Sequence, residues 1–289
     1  MTFSLKFTKL KATLDFPSYS LPYWLGNKFR GGFGSVLLKA VCGYLSPVCS
    51  KCGSREDCLY HALYVRDRQK RGRSQPVRPV VFIPPFFGKR VKGSGTMTLD
   101  VNVFGDYVRY IPHIIYGLRF LGKIGLNSES RFELTGISDA ITGEAVYDGE
   151  TVNADAVTVV DLGEIREKKI SGEEIEVRFE TPVEARIPVN LPFLLHMIRR
   201  RLILYVNEYG SGVVPDCKCS SEILHSEWKK HRLFHRSKRH GDRVFHGVTG
   251  YARYRIDEID VNSLSLLRIG ELIGAGAKAS FGMGFFKIL

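Results

Sequence analysis

From Thr2 to Phe16 polar and apolar residues alternate, with Phe3, Leu5 and Phe7 on one side, and this period of two predicts a strand. Pro17 to Pro22 reads as a turn-like break. The period then changes. In Lys28–Val41 (KFRGGFGSVLLKAV), Phe29, Phe33, Val36, Leu37 and Ala40 recur at helical spacing, while Gly31, Gly32 and Gly34 weaken the helix and permit close packing against a sheet. Leu59 to Val65 is a short amphipathic turn, and Val80 to Phe87 is an apolar run broken by Pro84 and Pro85, which suits an edge strand. Thr96 to Val103 alternates as a strand. Asp106 to Leu121 carries Val108, Ile111, Ile115, Leu118 and Phe120 on a helical face, with Pro112 placed to kink it, and Arg131 to Ile137 is a further strand.

Strand, helix, two strands, helix, strand is the βαββαβ order of a ferredoxin-like unit, whose two helices cover one face of a four-stranded antiparallel sheet. Ser138 to Ser171 is turn-rich and acidic, with two short strands around Asp148-Gly149, and it carries the domain boundary. Beyond it Glu174 to Ile187 reads as strand. Leu191 to Tyr209 reads as a helix, with Pro192 in its first turn and Gly210 just past its end. Ser211 to Ser221 reads as loop, Val244 to Arg255 as strand, Leu264 to Ile273 as helix and Phe281 to Leu289 as a closing strand. The second half repeats the element order of the first without repeating its sequence. The expected fold is therefore α+β, two tandem ferredoxin-like domains over residues 1–150 and 151–289.

Charge changes the picture from fold to partner. The 289 residues carry a formal charge of +12 with 44% hydrophobic content, which describes a folded protein suited to a polyanion. The absence of a signal-like start or a long uncharged run leads to an expectation of a soluble, cytoplasmic protein with no membrane partner. Two stretches concentrate the charge. Arg66, Arg68, Lys70, Arg71, Arg73 and Arg78 stand against Asp67 alone in one exposed loop. Trp228–Arg255 (WKKHRLFHRSKRHGDRVFHGVTGYARYR) sets nine lysines and arginines against Asp242, interleaved with Trp228, Phe234, Phe245, Tyr251 and Tyr254. Cations there, Arg232, Arg236, Arg239 and Arg243 among them, would hold phosphates, and the rings would stack on unpaired bases; a plain solvated basic face is the alternative.

The closing GELIGAGAKASFGMGFFKIL places Gly274, Gly276, Gly282 and Gly284 around Lys278 and Ser280. Backbone N–H groups unguarded by side chains suit phosphate oxygens, and a tight turn needing positive φ is the alternative. Cys42, Cys49, Cys52 and Cys58 give C-x6-C-x2-C-x5-C, four soft donors suited to structural zinc or an iron–sulfur cluster, against the alternative of unconnected loop thiols. Cys217 and Cys219 stay unassigned. Neither an aspartate pair nor a D-x-D cluster is present for two-metal nuclease chemistry. If a phosphodiester is cut, the composition favours metal-independent attack by RNA's own 2′-hydroxyl, with a base, an acid and a cation assisting.

These parts resemble the CRISPR-associated endoribonucleases of the repeat-associated mysterious protein (RAMP) superfamily, in the subfamily with a cysteine-bearing loop after the first helix. The resemblance rests on FRGGFGSVLLKAVC (Phe29–Cys42), CSKCGSREDCLYHALY (Cys49–Tyr64), FIPPF (Phe82–Phe86), YIPHIIYGLRFLGKIGLNSESRFEL (Tyr110–Leu134), TPVEAR (Thr181–Arg186), HRSKR (His235–Arg239) and Gly270–Ile288. It implies cleavage of precursor CRISPR RNA within its repeats, leaving a 5′-hydroxyl and a 2′,3′-cyclic phosphate without a catalytic metal. Repeat RNA and subunits of a CRISPR effector complex are the implied partners. Monomer and homodimer are both open. For catalysis it implies a histidine with a tyrosine or lysine, for which His61 with Tyr60 or Tyr64 is the nearest match, and His235, Lys238 and His240 are the rivals. The other readings are a non-catalytic RNA-binding subunit of the same superfamily and a zinc-stabilised RNA-binding protein unrelated to CRISPR.

Overall fold

The structure, a computed structural model, describes residues 2–42, 48–65, 77–167, 173–235 and 241–289. It divides into two units, Phe7–Val159 and the combination of Met1–Lys6 with Val160–Leu289.

In chain order the strands and helices are β1 (Thr2–Ser4), β2 (Lys6–Leu21), α1 (Gly26–Val41), β3 (Val80–Ile83), β4 (Val91–Phe104), α2 (Ile111–Ile124), β5 (Glu133–Asp139), β6 (Ala145–Tyr147) and β7 (Val160–Asp161). There follow β8 (Glu174–Val183), α3 (Leu191–Tyr209), β9 (Ser211–Val213), β10 (Cys219–His235), β11 (Arg243–Ile259), α4 (Val261–Ile273) and β12 (Phe286–Ile288).

The unit Phe7–Val159 orders its strands β3-β4-β2-β5-β6, so its βαββαβ core is ferredoxin-like with β3 at an edge. Leu10, Ala12, Leu14 and Phe16 of β2 alternate into a core closed by Phe29, Phe33, Val36 and Leu37 of α1 and Ile111, Ile114, Ile115 and Leu118 of α2. The helices approach closely because Gly32 and Gly117 leave room for Leu121 and Phe33: a Cβ at either would fall 2.6 Å and 2.4 Å from those side chains. The expected break at Pro17 is instead a bulge. β2 keeps pairing with β4 through Leu21, and the register shifts between Phe16 and Tyr19, which lets proline pass without a ladder bond. Pro112 does not kink a helix either; it occupies the first turn of α2, where its missing N–H costs nothing. Phe120 is the other departure, lying outside at 39% exposure.

The second unit orders its sheet β10-β11-β8-β12, the same ferredoxin-like arrangement. Its helices begin at side-chain caps, Asn190 accepting from the Phe193 N–H at 2.8 Å and Asp260 accepting from the Ser263 N–H at 2.7 Å. Leu194, Leu195, Ile198 and Leu202 of α3 and Leu264, Leu267, Ile269 and Ile273 of α4 are buried. The Ser211–Ser221 stretch is not all loop. β9 pairs with β1 (Thr2↔Val213), and Asp161 fastens β1 by accepting from the Leu5 N–H and the Ser4 hydroxyl. Among the described residues no helix is long and apolar enough to cross a membrane.

Candidate nucleic-acid interface

β10 and β11 form a long antiparallel hairpin running from Cys219↔Ile259 to His235↔Arg243. Lys229, Lys230, Arg232 and Arg243 are exposed along it, and the Arg232 guanidinium lies 5.8 Å from the centre of the exposed Phe234 ring. Arg236, Lys238, Arg239 and His240 lie outside the described residues, as does the basic loop over 66–76.

The hairpin's aromatic residues divide by strand face. Tyr254 is interior and donates its hydroxyl to the Val189 carbonyl at 2.6 Å. Trp228 packs on Phe179 with ring centres 6.0 Å apart. Phe245 is buried. Only Phe234, 59% exposed, is fully presented as a stacking surface, with Tyr251 half-buried under Arg178. Most of these rings pack inward or lie beneath a cation, so density of aromatic residues overstated the number available to bases.

One cluster joins the hairpin end to the glycine-rich loop. The His235 ring stacks on Phe245 at 5.4 Å and meets Phe281 edge-on at 5.0 Å, Phe245 and Phe281 are 5.3 Å apart, and Lys278 Nζ lies 5.0 Å from the Phe245 ring centre. His235 thus packs against the loop, a placement suited to holding the hairpin in position.

The loop's conformation needs its glycines. Gly274, Gly276, Gly282 and Gly284 all have positive φ. At Gly284 (φ +77) a Cβ would also sit 2.0 Å from the Ala275 carbonyl oxygen. The loop is closed by Ala275 N–H to Gly284 O (2.8 Å), Gly284 N–H to Pro182 O (2.9 Å) and Gly282 N–H to Ala279 O (2.9 Å). From beneath, Arg201 of α3, 4% exposed, donates Nε–H to Ile273 O at 2.8 Å and an Nη1–H to Gly276 O at 3.3 Å, while Tyr205 accepts from Nη2 at 2.7 Å. Burial lowers the Arg201 pKa, and Tyr205 opposes that. The Ile273 and Gly276 carbonyls are thereby tied to the guanidinium, while Ala277 is exposed and Gly276, Lys278 and Ser280 are half-buried. Carbonyls engaged from beneath, on a glycine-rich turn that carries a lysine, suit an anion. Arg201 is the site residue that sequence reading missed. Its signal was an arginine spaced four from Tyr205 on the apolar side of α3, masked by Arg199 and Arg200.

The other candidates lie in the first unit. His61 opens a π-helical turn, His61–Val65, and is half-buried. Tyr64 donates its hydroxyl to the Arg30 carbonyl at 2.7 Å, its ring lies 5.2 Å from the Arg30 guanidinium, and it stacks on Tyr60 at 5.3 Å. Burial raises the Tyr64 pKa well above the ordinary phenol value, with Arg30 pulling the other way. This tyrosine clamps the turn to α1. Cys42, Cys49, Cys52 and Cys58 are all half-buried, and Cys49 and Cys58 pack on the hydrophobic core. Among the described residues no three cysteine, histidine or acidic side chains gather as a metal-sized group. Burial, then the neighbouring Cys217, pushes the Cys219 thiol up to about 11.

Two family models cover the chain, AF_1859_N (N-terminal domain) over residues 5–159 and AF_1859_C (C-terminal domain) over residues 175–288. The chain belongs to this two-domain family. An uncharacterized protein of Archaeoglobus fulgidus is 67% identical over 288 residues, spanning 100% of this chain and 99% of the relative. Among solved structures, Thermus thermophilus Cas6 superposes with a TM-score of 0.56 at 16% identity, covering 99% of each chain. A Cas6 product complex gives 0.55 at 15% identity over 98% of this chain and 99% of that one. A partial Cas6-RT-Cas1–Cas2 complex gives 0.53 at 12% identity, over 99% of this chain and 46% of that one. The fold is therefore of the Cas6 type, two ferredoxin-like domains, as the order of strands and helices led one to expect.

Proposed function

We propose that this chain is a metal-independent endoribonuclease that binds precursor CRISPR RNA and cleaves it within the repeats. The observation that carries the reading is the glycine-rich loop with Lys278, joined through His235, Phe245 and Phe281 to the exposed cations of the hairpin, on a chain with the Cas6 fold.

In the proposed reaction the substrate's 2′-hydroxyl oxygen attacks the adjacent phosphorus as a base takes its proton. The bond from phosphorus to the 5′-oxygen breaks, and an acid protonates that oxygen. The products are a 2′,3′-cyclic phosphate and a 5′-hydroxyl, with no water consumed. Lys278 and the loop N–H groups would grip the RNA backbone through its phosphates. Arg232, Arg236, Arg239, Arg243 and Ser280 would hold the flanking backbone, over a loop shaped by Gly274, Gly276, Gly282 and Gly284. The proposed acid–base residues are His61 with Tyr64 in the first unit or, as rivals, His235, Lys238 and His240 in the second. A zinc ion or iron–sulfur cluster at Cys42, Cys49, Cys52 and Cys58 belongs to the same proposal as a structural group only; elemental analysis of the native protein tests it.

Repeat RNA incubated with the protein in EDTA should yield a 2′,3′-cyclic phosphate end, and a single 2′-deoxy substitution at the cut should abolish it. Alanine at His61 should slow cleavage by about 10²–10⁴-fold with binding retained. Binding without cleavage under every condition sinks the enzyme and leaves an RNA-binding subunit. One observation favours that second reading: the Tyr64 hydroxyl is already spent on a backbone carbonyl.

A further inference from the structure

The outer face of α2 and the 3₁₀ turn before it (Gly105–Tyr110) carry an unassigned row of rings. Tyr107 and Tyr110 lie 5.7 Å apart, Tyr110 and His113 meet edge-on at 5.5 Å, and Tyr116 and Phe120 stack at 6.2 Å with planes 23° apart. His113, Tyr116 and Phe120 are spaced three and four residues apart, which aligns them on one side of the helix. Tyr116 is 57% exposed and Phe120 39% exposed, an unusual use of large rings on a helix whose other face is fully apolar.

Charge distinguishes this row from a spare apolar stripe. Tyr116, Arg119, Phe120 and Lys123 line one shallow concavity. The Arg109 guanidinium lies 5.1 Å from the Tyr110 ring centre. Across Gly105–Ile124 the three cations Arg109, Arg119 and Lys123 face the single acid Asp106. Flat rings with cations among them satisfy unpaired bases and phosphates together, whereas an apolar protein partner would leave the cations poorly matched. Tyr107 and Tyr110 are half-buried against the core, and the exposed rings from His113 to Phe120 extend roughly 10 Å, enough for two or three unstacked nucleotides.

We propose that this face of α2 is a platform for single-stranded nucleic acid, additional to the hairpin and glycine-rich loop. Bases stack on Tyr116 and Phe120, and with the chain continuing over His113 and Tyr110, Arg119 and Lys123 take the phosphates. The proposal does not depend on cleavage, and its ligand is any unpaired segment.

The test uses the full chain with a short oligouridylate carrying photoreactive 5-iodouridine. Adducts on Tyr116 or Phe120 are expected after irradiation. The exposed double variant Y116A/F120A should lose these adducts and about tenfold in affinity, while adducts within 219–259 persist. R119A/K123A should flatten the slope of log affinity against log salt by about 1.4. A duplex of the same length should fail to compete at α2, because its bases are already stacked. Adducts confined to 219–259, with Y116A/F120A binding as wild type, overturn the platform but leave the hairpin reading standing. Adducts nowhere overturn both. If Y116A/F120A instead dissolves a self-association seen by sedimentation, with probe affinity unchanged, the face covers a second copy and the proposal fails.

Discussion

The chain has two glycine-rich segments, and they solve opposite problems. In α1, Gly31, Gly32 and Gly34 keep ordinary helical backbone, and two of them are small to make space for Leu121 and the Tyr64 ring. After α4, Gly274, Gly276, Gly282 and Gly284 are glycine because the backbone itself takes a turn closed to other residues. One segment yields room to neighbours; the other folds back on itself and is pinned by Arg201. Glycine content alone does not distinguish packing from shape, and the neighbours decide.

Substitutions can break that contrast. Gly284→Ala should cost most, about 3 kcal/mol by chemical denaturation, since it adds left-handed strain to a clash with the Ala275 carbonyl. Arg201→Met should follow at about 2–3 kcal/mol, by leaving the Ile273 and Gly276 carbonyls without their donor, and RNA affinity should fall with it. Gly34→Ala should cost about 1 kcal/mol, because its Cβ would lie 2.7 Å from a Tyr64 ring that has to tilt. Gly31→Ala has the reverse sign. Nothing lies within 4 Å of its Cβ, so it should stabilise α1 by about 0.5–1 kcal/mol, and a measured loss there would erase the distinction between the two segments.

The smallest effect is a titration in the hairpin. His231 Nε2 lies 2.7 Å from Thr249 Oγ1, and burial, then Lys229, lowers its pKa. A lowered histidine binds a proton less readily folded than unfolded, so stability falls as pH drops through the unfolded imidazole range and recovers above it. His231→Gln should reduce that acid-side loss in a Tm profile against pH.

Much of the fold could be read from the chain because local rules agreed with the tertiary result. α3 was legible to the residue, since Pro192 and Gly210 mark its two ends. β10 was not. Its first half, Cys219 to Glu227, offers little apolar alternation, for it is the sheet's edge and most of its side chains face water. Phe120 was assigned inward because a helical period cannot say how wide the buried stripe is. The glycine-rich loop could be located from its composition and its place after the last helix. Arg201 could not, because a cation in a run of three arginines reads as solvent-facing until the acceptors above it are known.

The pairing of β1 with β9 reaches from Thr2 to Val213. On a ribosome, β1 therefore has no partner until β9 is made about 210 residues later, and the intervening Phe7–Val159 unit can fold while it waits. Vectorial synthesis thus lets that unit finish before the other, whose completion is tied to a strand made well before the rest of it. A separately expressed 160–289 fragment would lack that strand, and grafting residues 1–6 onto it by circular permutation is the direct repair.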